Sequence, residues 1–447
     1  MYDSLVDVPI DSVEPTPSLA TDWKLGDDGL SLTLNLRDDV KFHSGRDFTS
    51  EDVAFSIKTW ADPKWTVQFQ RTAAAITDFD TTDPHTVVLK FDHKLSNVFD
   101  LLDVLPIIDS ETFDGLGEGK AYVGTGPFTF ESWTPQSELT FAKNADYWGN
   151  EPKLDGIEVH IVPDAQSLTS QLRTGQLDLA IGVSNRDVDT LVKTGDFTDT
   201  AYEGSERQYY VGTNVTNPAL KDVRVRQAIA YALDRERIVA DVFQGNGYPI
   251  VAPWPKYSPA YDEDINQKYS RDVDKGKALV EEVGNIPTLS LEYSTGSPTY
   301  EAIAQIVQAN LADIGIKVDL VPNEHPTHID RLINGKYTAL WILDHAYAQW
   351  TPSTLAVTAY PFNADKNSSN FVDAKYKKDA NAAWEVADGT SPEAVEAYRK
   401  VTEDLVENLF LIESNVTWIR IPVSTGVHDL AWTKRSELVL TDTWLDD

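Results

Sequence analysis

The sequence predicts an α/β fold built from more than one lobe. Two segments, residues 157–181 and 289–321, each show a strand pattern, a helix pattern and a second strand pattern in succession. A crossover of this kind joins parallel strands, because parallel neighbours need a long connection. The chain has 447 residues, which is too long for one ordinary domain. We therefore expect two or three lobes, each with its own core.

The composition excludes several classes of protein. Hydrophobic residues make up 41% of the chain and aromatic residues 10%, which is too many for a disordered protein. The formal net charge of -33 excludes nucleic acid as a partner, because no basic surface is available for phosphates. Since the acidic residues are spread along the chain, they predict a surface adapted to salt and a source that is a halophilic archaeon. The alternative is an ordinary acidic secreted protein.

Cysteine and long apolar runs are both absent from the sequence. The lack of cysteine excludes disulfides, thiolate metal sites and cysteine nucleophiles. No apolar run reaches the length of about 20 residues that a membrane-spanning helix needs. Met1 is followed by neither a basic segment nor an apolar one, so no signal peptide is expected in this sequence.

In chain order, residues 20–60 predict a β-hairpin followed by a helix. Leucines alternate with polar residues from Leu30 to Leu36, after a Gly-Asp-Asp-Gly turn at 26–29. Thr49 or Ser50 then stands where a helix cap is needed, ahead of an apolar series that runs to Trp60.

The next segments predict two strands with a helix between them. Residues 86–91 and 128–133 alternate, and residues 98–105 form an apolar helical stretch that ends at Pro106. The turn at 124–127, Gly-Thr-Gly-Pro, precedes the second strand. A phosphate-binding loop is an alternative for this turn, but neither the Gly-Lys-Ser/Thr sequence nor a following helix supports it.

Residues 157–181 form the clearest α/β unit. Alternation from Ile157 to Ile161 predicts a strand, a helix begins near Asp164 and ends at Gly175, and Leu177–Ile181 predicts a second strand. We expect the two strands to be parallel.

Residues 222–242 predict two helices joined end to end. Apolar residues at 225, 228, 229, 232 and 233 follow the spacing of one helix face. Asp222 precedes this series and Asp234 precedes the next, and each carboxylate can accept hydrogen bonds from the first turn of a helix.

The last third of the chain repeats the strand-helix-strand pattern and ends with a long helix and two strands. The predicted strands are 289–293, 317–321, 337–342, 417–423 and 438–440, and the predicted helices are 302–314 and 394–409.

Motifs for catalysis and metal binding are weak in this chain. With 71 acidic residues, pairs of carboxylates arise by chance, and no G-x-S-x-G, H-E-x-x-H or Walker A motif is present. His325 and His328 could share a helix face as metal ligands, but Pro326 between them favours a loop. We expect no catalytic residue, no metal and no cofactor. The glycosylation triplets at Asn214, Asn367 and Asn415 agree with an exported protein.

Several segments together resemble a known family. The sequence DVRVRQAIAYALDRERIV at 222–239 is similar to the signature segment of the family 5 extracellular solute-binding proteins, the oligopeptide- and dipeptide-binding components of ABC importers. The opening W…DDG…LR…VKFH-G…T-EDV series, the GTGPF turn at 124–128, N-x-x-YW-G at 144–149 and L-x-x-G-x-x-D at 172–178 resemble the same family.

The resemblance implies a periplasmic-binding-protein-like α/β fold with two hinged lobes and the additional lobe of family 5. Lobe I is expected to comprise residues 1–5, 151–205 and 424–447, lobe II, the additional lobe, residues 6–150, and lobe III residues 206–423. Because MYDSLVDV resembles the segment that follows the first strand in this family, we expect lobe I to lack that strand and the chain to be truncated at its N-terminus.

The resemblance also implies ligand-binding residues. A W-x-x-D sequence ends a strand at the ligand cleft of peptide-binding members, where its aspartate pairs with the ligand's α-amino group, and Trp341 and Asp344 match it. This chain departs from the family just afterwards, because Pro352 comes later than expected, so the loop that shapes the pocket differs. The remaining candidates are a Y-Y-x-x-x-N sequence and two weaker positions on the cleft wall: Tyr209, Tyr210, Asn214, Trp350 and Glu413.

The function that the resemblance implies is capture without chemistry. We expect a monomeric extracellular receptor, held at the cell surface by an N-terminal lipid anchor outside this sequence, that delivers peptides or a similar solute to an ABC permease. One alternative is the same fold with an oligosaccharide or another non-peptide ligand, for which Asp344 would accept hydroxyl groups. A more remote alternative is a secreted hydrolase.

Overall fold

The computed structural model of the protein describes residues 1–10, 12–65, 67–117, 119–295, 297–346 and 350–446. Its strands, β1 to β19 in chain order, are Val6–Asp7, Thr16–Pro17, Ala20–Leu25, Ser31–Leu36, Ile76–Asp83, Thr86–Phe91, Phe128–Thr134, Glu138–Lys143, Gly156–His160, Phe197–Thr213, Tyr248–Pro249, Leu289–Ser294, Val318–Asn323, Leu340–Ala346, Leu411–Ser424, Val427–His428, Ala431–Trp432, Leu438–Val439 and Trp444–Leu445.

The helices, α1 to α15, are Ser50–Ala61, Gln70–Ala74, Val98–Val104, Phe113–Gly117, Ala165–Arg173, Asn185–Val192, Val223–Ala232, Arg235–Arg237, Glu263–Asn266, Val273–Val283, Pro298–Asp313, His325–Asn334, Pro352–Thr358, Ala374–Trp384 and Pro392–Asn408, with a π-helical turn at Ile238–Val242. Within the described residues, no helix is long and apolar enough to span a bilayer.

The chain divides into two compact units. Unit 1 comprises Met1–Ser205 and Ile419–Asp447, and unit 2 comprises Glu206–Trp418. The chain enters unit 2 within β10 and leaves it within β15. The separation of unit 1 into lobes I and II stays a prediction.

Unit 1 contains the predicted hairpin and its following helix. β3 and β4 pair antiparallel in a four-stranded sheet of order β3-β4-β6-β5. α1 begins with a capping box, in which the side chains of Thr49 and Asp52 each bond the other's backbone N–H. A second sheet of unit 1 has the order β7-β8-β9.

The predicted parallel crossover at 157–181 is wrong. Its first strand, β9, pairs antiparallel with β8. The helix α5 is capped by Asp164 as expected, but Leu177–Ile181 forms no strand and makes only one isolated bridge, between Leu179 and Val423. Alternation shows that a segment can pair, but a strand also needs a neighbour along its whole length, and this segment has none among the described residues.

Unit 2 is organised around a six-stranded mixed sheet of order β11-β15-β10-β14-β12-β13. The predicted crossover in this half is confirmed, because β12 and β13 are parallel and α11 connects them. β14 lies inside the sheet, and its first four residues are buried. This explains the nearly continuous apolar sequence of that strand.

The two predicted helices at 222–242 are confirmed in type, with a change of geometry in the second. Asp222 caps α7 by accepting from the Arg224 N–H, and Asp234 caps α8 by accepting from the Arg237 N–H. The second helix then continues as the π-helical turn. At the end of that turn lies Phe243, which is buried.

The prediction of a loop around His325 and His328 is wrong. These residues lie in α12, where Pro326 occupies the first turn. Proline is tolerated there because its missing N–H would have had no intrahelical partner. His328 is buried, and its Nε2 lies 3.0 Å from the carbonyl oxygen of Ile342.

Candidate functional site

Asp344 lies on β14 in the interior of the unit 2 sheet, directly opposite Tyr209 on β10. Its side chain is only 6% exposed. One carboxylate oxygen accepts a hydrogen bond from the Arg207 guanidinium, and the other accepts one from the Tyr300 hydroxyl. A buried carboxylate needs such partners, because it has lost its hydration. Asp344 is therefore the centre of a buried charge pair.

Two strands, β10 and β14, and the helix α11 bring this site together. Arg207 and Tyr209 are two residues apart on β10 and share one face of the sheet. Tyr300 lies in the first turn of α11. The ring of Tyr209 is 4.9 Å from that of Phe243 and 6.1 Å from that of Tyr300, measured between centroids. The helix pair at 222–242 thus ends by placing an aromatic ring beside the site.

Burial and the charge of Asp344 keep Tyr209, Tyr300 and Arg207 protonated. Burial, followed by the negative charge of Asp344, raises the pKa of both Tyr209 and Tyr300, so both hydroxyls stay protonated. Burial lowers the pKa of the Arg207 guanidinium, but the negative charge of Asp344 contributes to a larger opposite effect. The net result is a raised pKa. The site therefore combines one anion, one fixed cation and neutral phenols.

Arg207 uses only part of its hydrogen-bonding capacity on Asp344. One of its terminal nitrogens donates to the carboxylate, while its buried Nε has no hydrogen-bond partner among the described residues. Its side chain is 34% exposed, so the guanidinium can also reach solvent or a ligand. This pair can present a negative group, a positive group or both to a solute.

Trp341 lies on β14 and Asn214 lies directly after β10, and neither contacts Asp344 through a described hydrogen bond. Trp341 is fully buried and stacks on Tyr337 with centroids 4.3 Å apart. The Asn214 side chain donates to the carbonyl oxygen of Tyr337 at 2.7 Å and accepts from the N–H and hydroxyl of Thr216. These bonds fix the end of β10, so both residues support the strands that carry the site.

Tyr210 lies on the other face of the sheet, and Glu413 lies on the neighbouring strand β15. Tyr210 follows Tyr209 and therefore points to the opposite side. Both residues are buried. Trp350 is also buried and lies directly after residues 347–349, which are outside the described part of the chain. The structure places two of the seven sequence-predicted residues, Tyr209 and Asp344, directly opposite each other. The other five lie elsewhere in unit 2.

Sequence reasoning missed Arg207, Tyr300 and Phe243. Arg207 had a usable signal, because it is two residues before Tyr209 in a strand and so shares its face. Tyr300 lies 44 positions from Asp344, and nothing in the local sequence around either residue links them.

One group of possible metal ligands lies in unit 1. Ligand atoms of Glu138, Glu158 and His160 are within 4.8 Å of one another. Two of the three side chains are exposed, and exposed carboxylates cluster in an acidic protein without any metal. No argument for a metal follows from this group.

The sequence of this chain is similar to those of solute-binding proteins over most of its length. A family model described as bacterial extracellular solute-binding proteins, family 5 Middle, matches residues 14–369. Heme-binding protein A of Haemophilus influenzae is 28% identical over 371 residues, which cover 76% of this chain and 68% of that protein. Oligopeptide-binding protein AppA of Bacillus subtilis is 28% identical over 422 residues, covering 87% and 76% respectively.

Solved structures show the same fold. The PBP AgaA of A. tumefaciens R10, in complex with agropinic acid, has a TM-score of 0.87 at 25% identity and covers 100% of this chain and 93% of its own. A dipeptide-binding protein of Pseudoalteromonas sp. SM9913, in complex with Met-Leu, has a TM-score of 0.87 at 23% identity and covers 100% and 94%. Proteins of this fold thus hold ligands of different chemistry.

Proposed function

The chain belongs to family 5 of the bacterial extracellular solute-binding proteins, and from this membership we propose that it captures peptides by their terminal ammonium group and delivers them to an ABC permease. Its relatives include oligopeptide-binding and di/tripeptide-binding proteins. The observation that carries the proposal is the buried Asp344 carboxylate, held in place by Arg207 and Tyr300. A desolvated anion of this kind is the counter-charge that a buried ammonium requires.

The ligand is proposed to bind without any covalent step. Asp344 accepts hydrogen bonds, the phenols of Tyr209 and Tyr300 stay protonated, and Phe243 adds an apolar wall. Hinged closure of the lobes around the ligand, a monomeric state and a cell-surface location complete the proposal. Family membership supports extracellular or periplasmic action.

A second candidate is a non-peptide solute such as an oligosaccharide. One observation favours it: Arg207 already neutralises Asp344, so a ligand need not bring a positive charge. In this case the carboxylate accepts hydroxyl groups, and the unused N–H groups of Arg207 donate to ring or hydroxyl oxygens.

Calorimetric titration of the wild-type protein with a matched panel tests the two candidates. We expect free-amine dipeptides and tripeptides to bind more tightly than their N-acetylated forms, because only the free amine can pair with Asp344. Tighter binding of acetylated peptides or of a disaccharide would contradict the peptide-amine proposal and favour the non-peptide candidate. Measurement of peptide and glycoside hydrolysis in the same samples tests the remote hydrolase alternative. Any turnover would favour a hydrolase.

The acidic composition leads to a proposal about salt. We infer adaptation to high salinity, because the net charge of -33 produces strong self-repulsion in dilute buffer. The Debye length falls from about 10 Å at 0.1 M salt to about 3 Å at 1 M, so the repulsion is screened. Exposed ion pairs such as Lys41–Asp47 weaken as well, but pairs of this kind contribute little to stability. We therefore expect the melting temperature to rise with NaCl across this range. A flat or falling melting temperature would contradict the halophilic adaptation.

A further inference from the structure

An apolar cavity lies in unit 1, beside the sheet of order β7-β8-β9. Its volume is 670 Å³, and its walls come mainly from β9, from residues 176–181 and from the stretch 427–445. Three large apolar side chains of these walls are exposed to solvent: Val159 by 42%, Ile181 by 51% and Leu445 by 44%. Contiguous exposed apolar surface marks a place where another segment or molecule binds. We call this cavity the β9 groove.

β9 forms the first wall of the groove and is an edge strand, because it pairs only with β8. The Ile161 N–H donates to the Ser137 carbonyl oxygen at 2.8 Å, which fixes the register of this antiparallel pair. Neighbouring residues of a strand direct their backbone groups to opposite sides. The N–H and C=O groups of Glu158 and His160 therefore point away from β8, and both residues line the groove.

Residues 177–181 form a second wall with the same unused capacity. On one side this segment meets β15, where the Ser424 N–H donates to the Asp178 carbonyl oxygen at 2.8 Å and Leu179 bridges Val423. In a bridge of this type the residues on either side of Leu179 bond β15, so its own N–H and C=O point away from that strand. These two groups form no backbone hydrogen bond with another described residue.

The shape and chemistry of the groove fit one extended strand. Two walls with free backbone donors and acceptors are satisfied together by an occupant that bonds on both of its edges, as an inserted strand does. Five residues of a strand are about 17 Å long, and with a strand spacing of about 4.8 Å and a depth of about 10 Å they take up roughly 800 Å³. The groove is of comparable size.

We propose that the β9 groove receives a β-strand of this protein's own polypeptide, from outside residues 1–447, which pairs with β9 on one edge and with residues 177–181 on the other. The added strand joins the sheet of β7, β8 and β9 to the end of β15. It also supplies the neighbour that the strand pattern at 177–181 requires. The inference goes beyond the proposed function and does not depend on the solute bound in unit 2.

The position of the groove indicates the source of the strand. A second copy of this chain cannot insert its own β9, because one edge of that strand is already paired with β8. The groove also adjoins the core of unit 1, since Ala180 lines it and belongs to a buried cluster with Leu172 and Val188. A separate peptide would lose translational and rotational freedom on binding. A strand tethered to the same chain avoids most of this loss, because its effective concentration is high.

A synthetic peptide tests the pairing on both edges. The probe is Lys-Thr-Val-Thr-Val-Thr-Val-Lys, labelled with fluorescein and amidated. Its binding to the chain 1–447 is measured by anisotropy in 1 M NaCl, where the Debye length is about 3 Å and charge attraction is screened. N-methylation of the valines blocks one edge of the peptide, and N-methylation of the threonines blocks the other.

We expect each methylated peptide to bind at least about tenfold more weakly than the parent, because each loses the hydrogen bonds of one edge. If only one of the two binds more weakly, the peptide is added to a single edge and insertion is wrong. If neither does, the groove holds the peptide by its side chains alone, and the strand proposal is wrong as well.

His160→Pro tests the β9 edge in the protein, with His160→Ala as its matched control. Both variants remove the same exposed side chain, but only proline removes the N–H that faces the groove. Proline is tolerated on an edge strand when its N–H side is unpaired, so the pairing with β8 is kept. We expect His160→Pro to weaken peptide binding at least about tenfold and His160→Ala to stay within about threefold, since one lost hydrogen bond and a steric block separate them. Equal affinities would contradict pairing at β9.

The protein expressed from its complete reading frame tests the source of the strand. We expect this longer chain to bind the peptide at least about a hundredfold more weakly than 1–447, because its own tethered strand occupies the groove. Equal binding by both chains, or a reading frame that encodes only 1–447, would overturn this source. If light scattering shows a dimer of 1–447 that His160→Pro dissociates and His160→Ala does not, a second copy occupies the groove and the proposal fails.

Discussion

Asp344→Asn is expected to weaken the binding of free-amine peptides by about thirtyfold to several thousandfold, which corresponds to about 2–5 kcal/mol. The side chain is almost completely buried, so the proposed charge pair with a ligand ammonium would be desolvated and high salt would screen it little. Asparagine keeps the shape and some hydrogen bonding but removes the charge. N-acetylated peptides should bind nearly equally to both proteins, because they carry no ammonium. Calorimetry on the two proteins with the two ligands measures the difference.

The Arg207 side chain requires a control of its own. Asp344→Asn leaves the guanidinium, whose side chain is 34% exposed, without its anion, so this substitution removes an internal ion pair as well as the ligand's counter-charge. The double variant Asp344→Asn/Arg207→Gln removes both charges. We expect it to recover the stability of the wild type but not the preference for free-amine peptides. If either variant binds free-amine and acetylated peptides with the wild-type ratio, the assignment of Asp344 to the ammonium is wrong.

Gly212→Ala is expected to destabilise unit 2 by about 3 kcal/mol, at the upper end of what overpacking a core costs. Gly212 lies on β10 directly opposite Trp341, and a Cβ added there would overlap the indole ring. The ring has no room to move, since it is fully buried and stacked on Tyr337. The strand must therefore shift, and Asp344 lies three residues further along β14. Urea denaturation should show a lower midpoint.

Gly426 provides the matched control for this substitution. A Cβ at that position would make only ordinary contacts, the nearest at 3.7 Å from Asp446. Gly426→Ala should therefore change stability by no more than about 0.5 kcal/mol. Adding Trp341→Leu to Gly212→Ala should cost less than the sum of the two single changes, because the smaller side chain relieves the overlap. A wild-type midpoint for Gly212→Ala would contradict the close packing of these two residues.

Local patterns predicted most helices and strands of this protein. The capping box of α1, the hairpin at 20–36 and the crossover from β12 to β13 follow from the order of residues within a few turns. Residues 177–181 show the limit of this information. They alternate as a strand should, yet they form only one bridge, because pairing depends on a neighbour that is distant in sequence.

The sequence by itself determined the α/β class and the family resemblance, and it placed Asp344 at the end of a strand, whereas the structure has it within β14. Hydrophobic periodicity, capping residues and motifs are patterns of residues that are close in sequence. They can therefore be recognised without knowledge of the fold. Only the tertiary structure decided that Arg207 and Tyr300, which lie 137 and 44 positions away, neutralise and orient Asp344. Strand register likewise decided that Tyr209 faces this site while Gln208 and Tyr210 face the other side. Register is set by the burial of whole faces against the rest of the fold, so no local segment contains it.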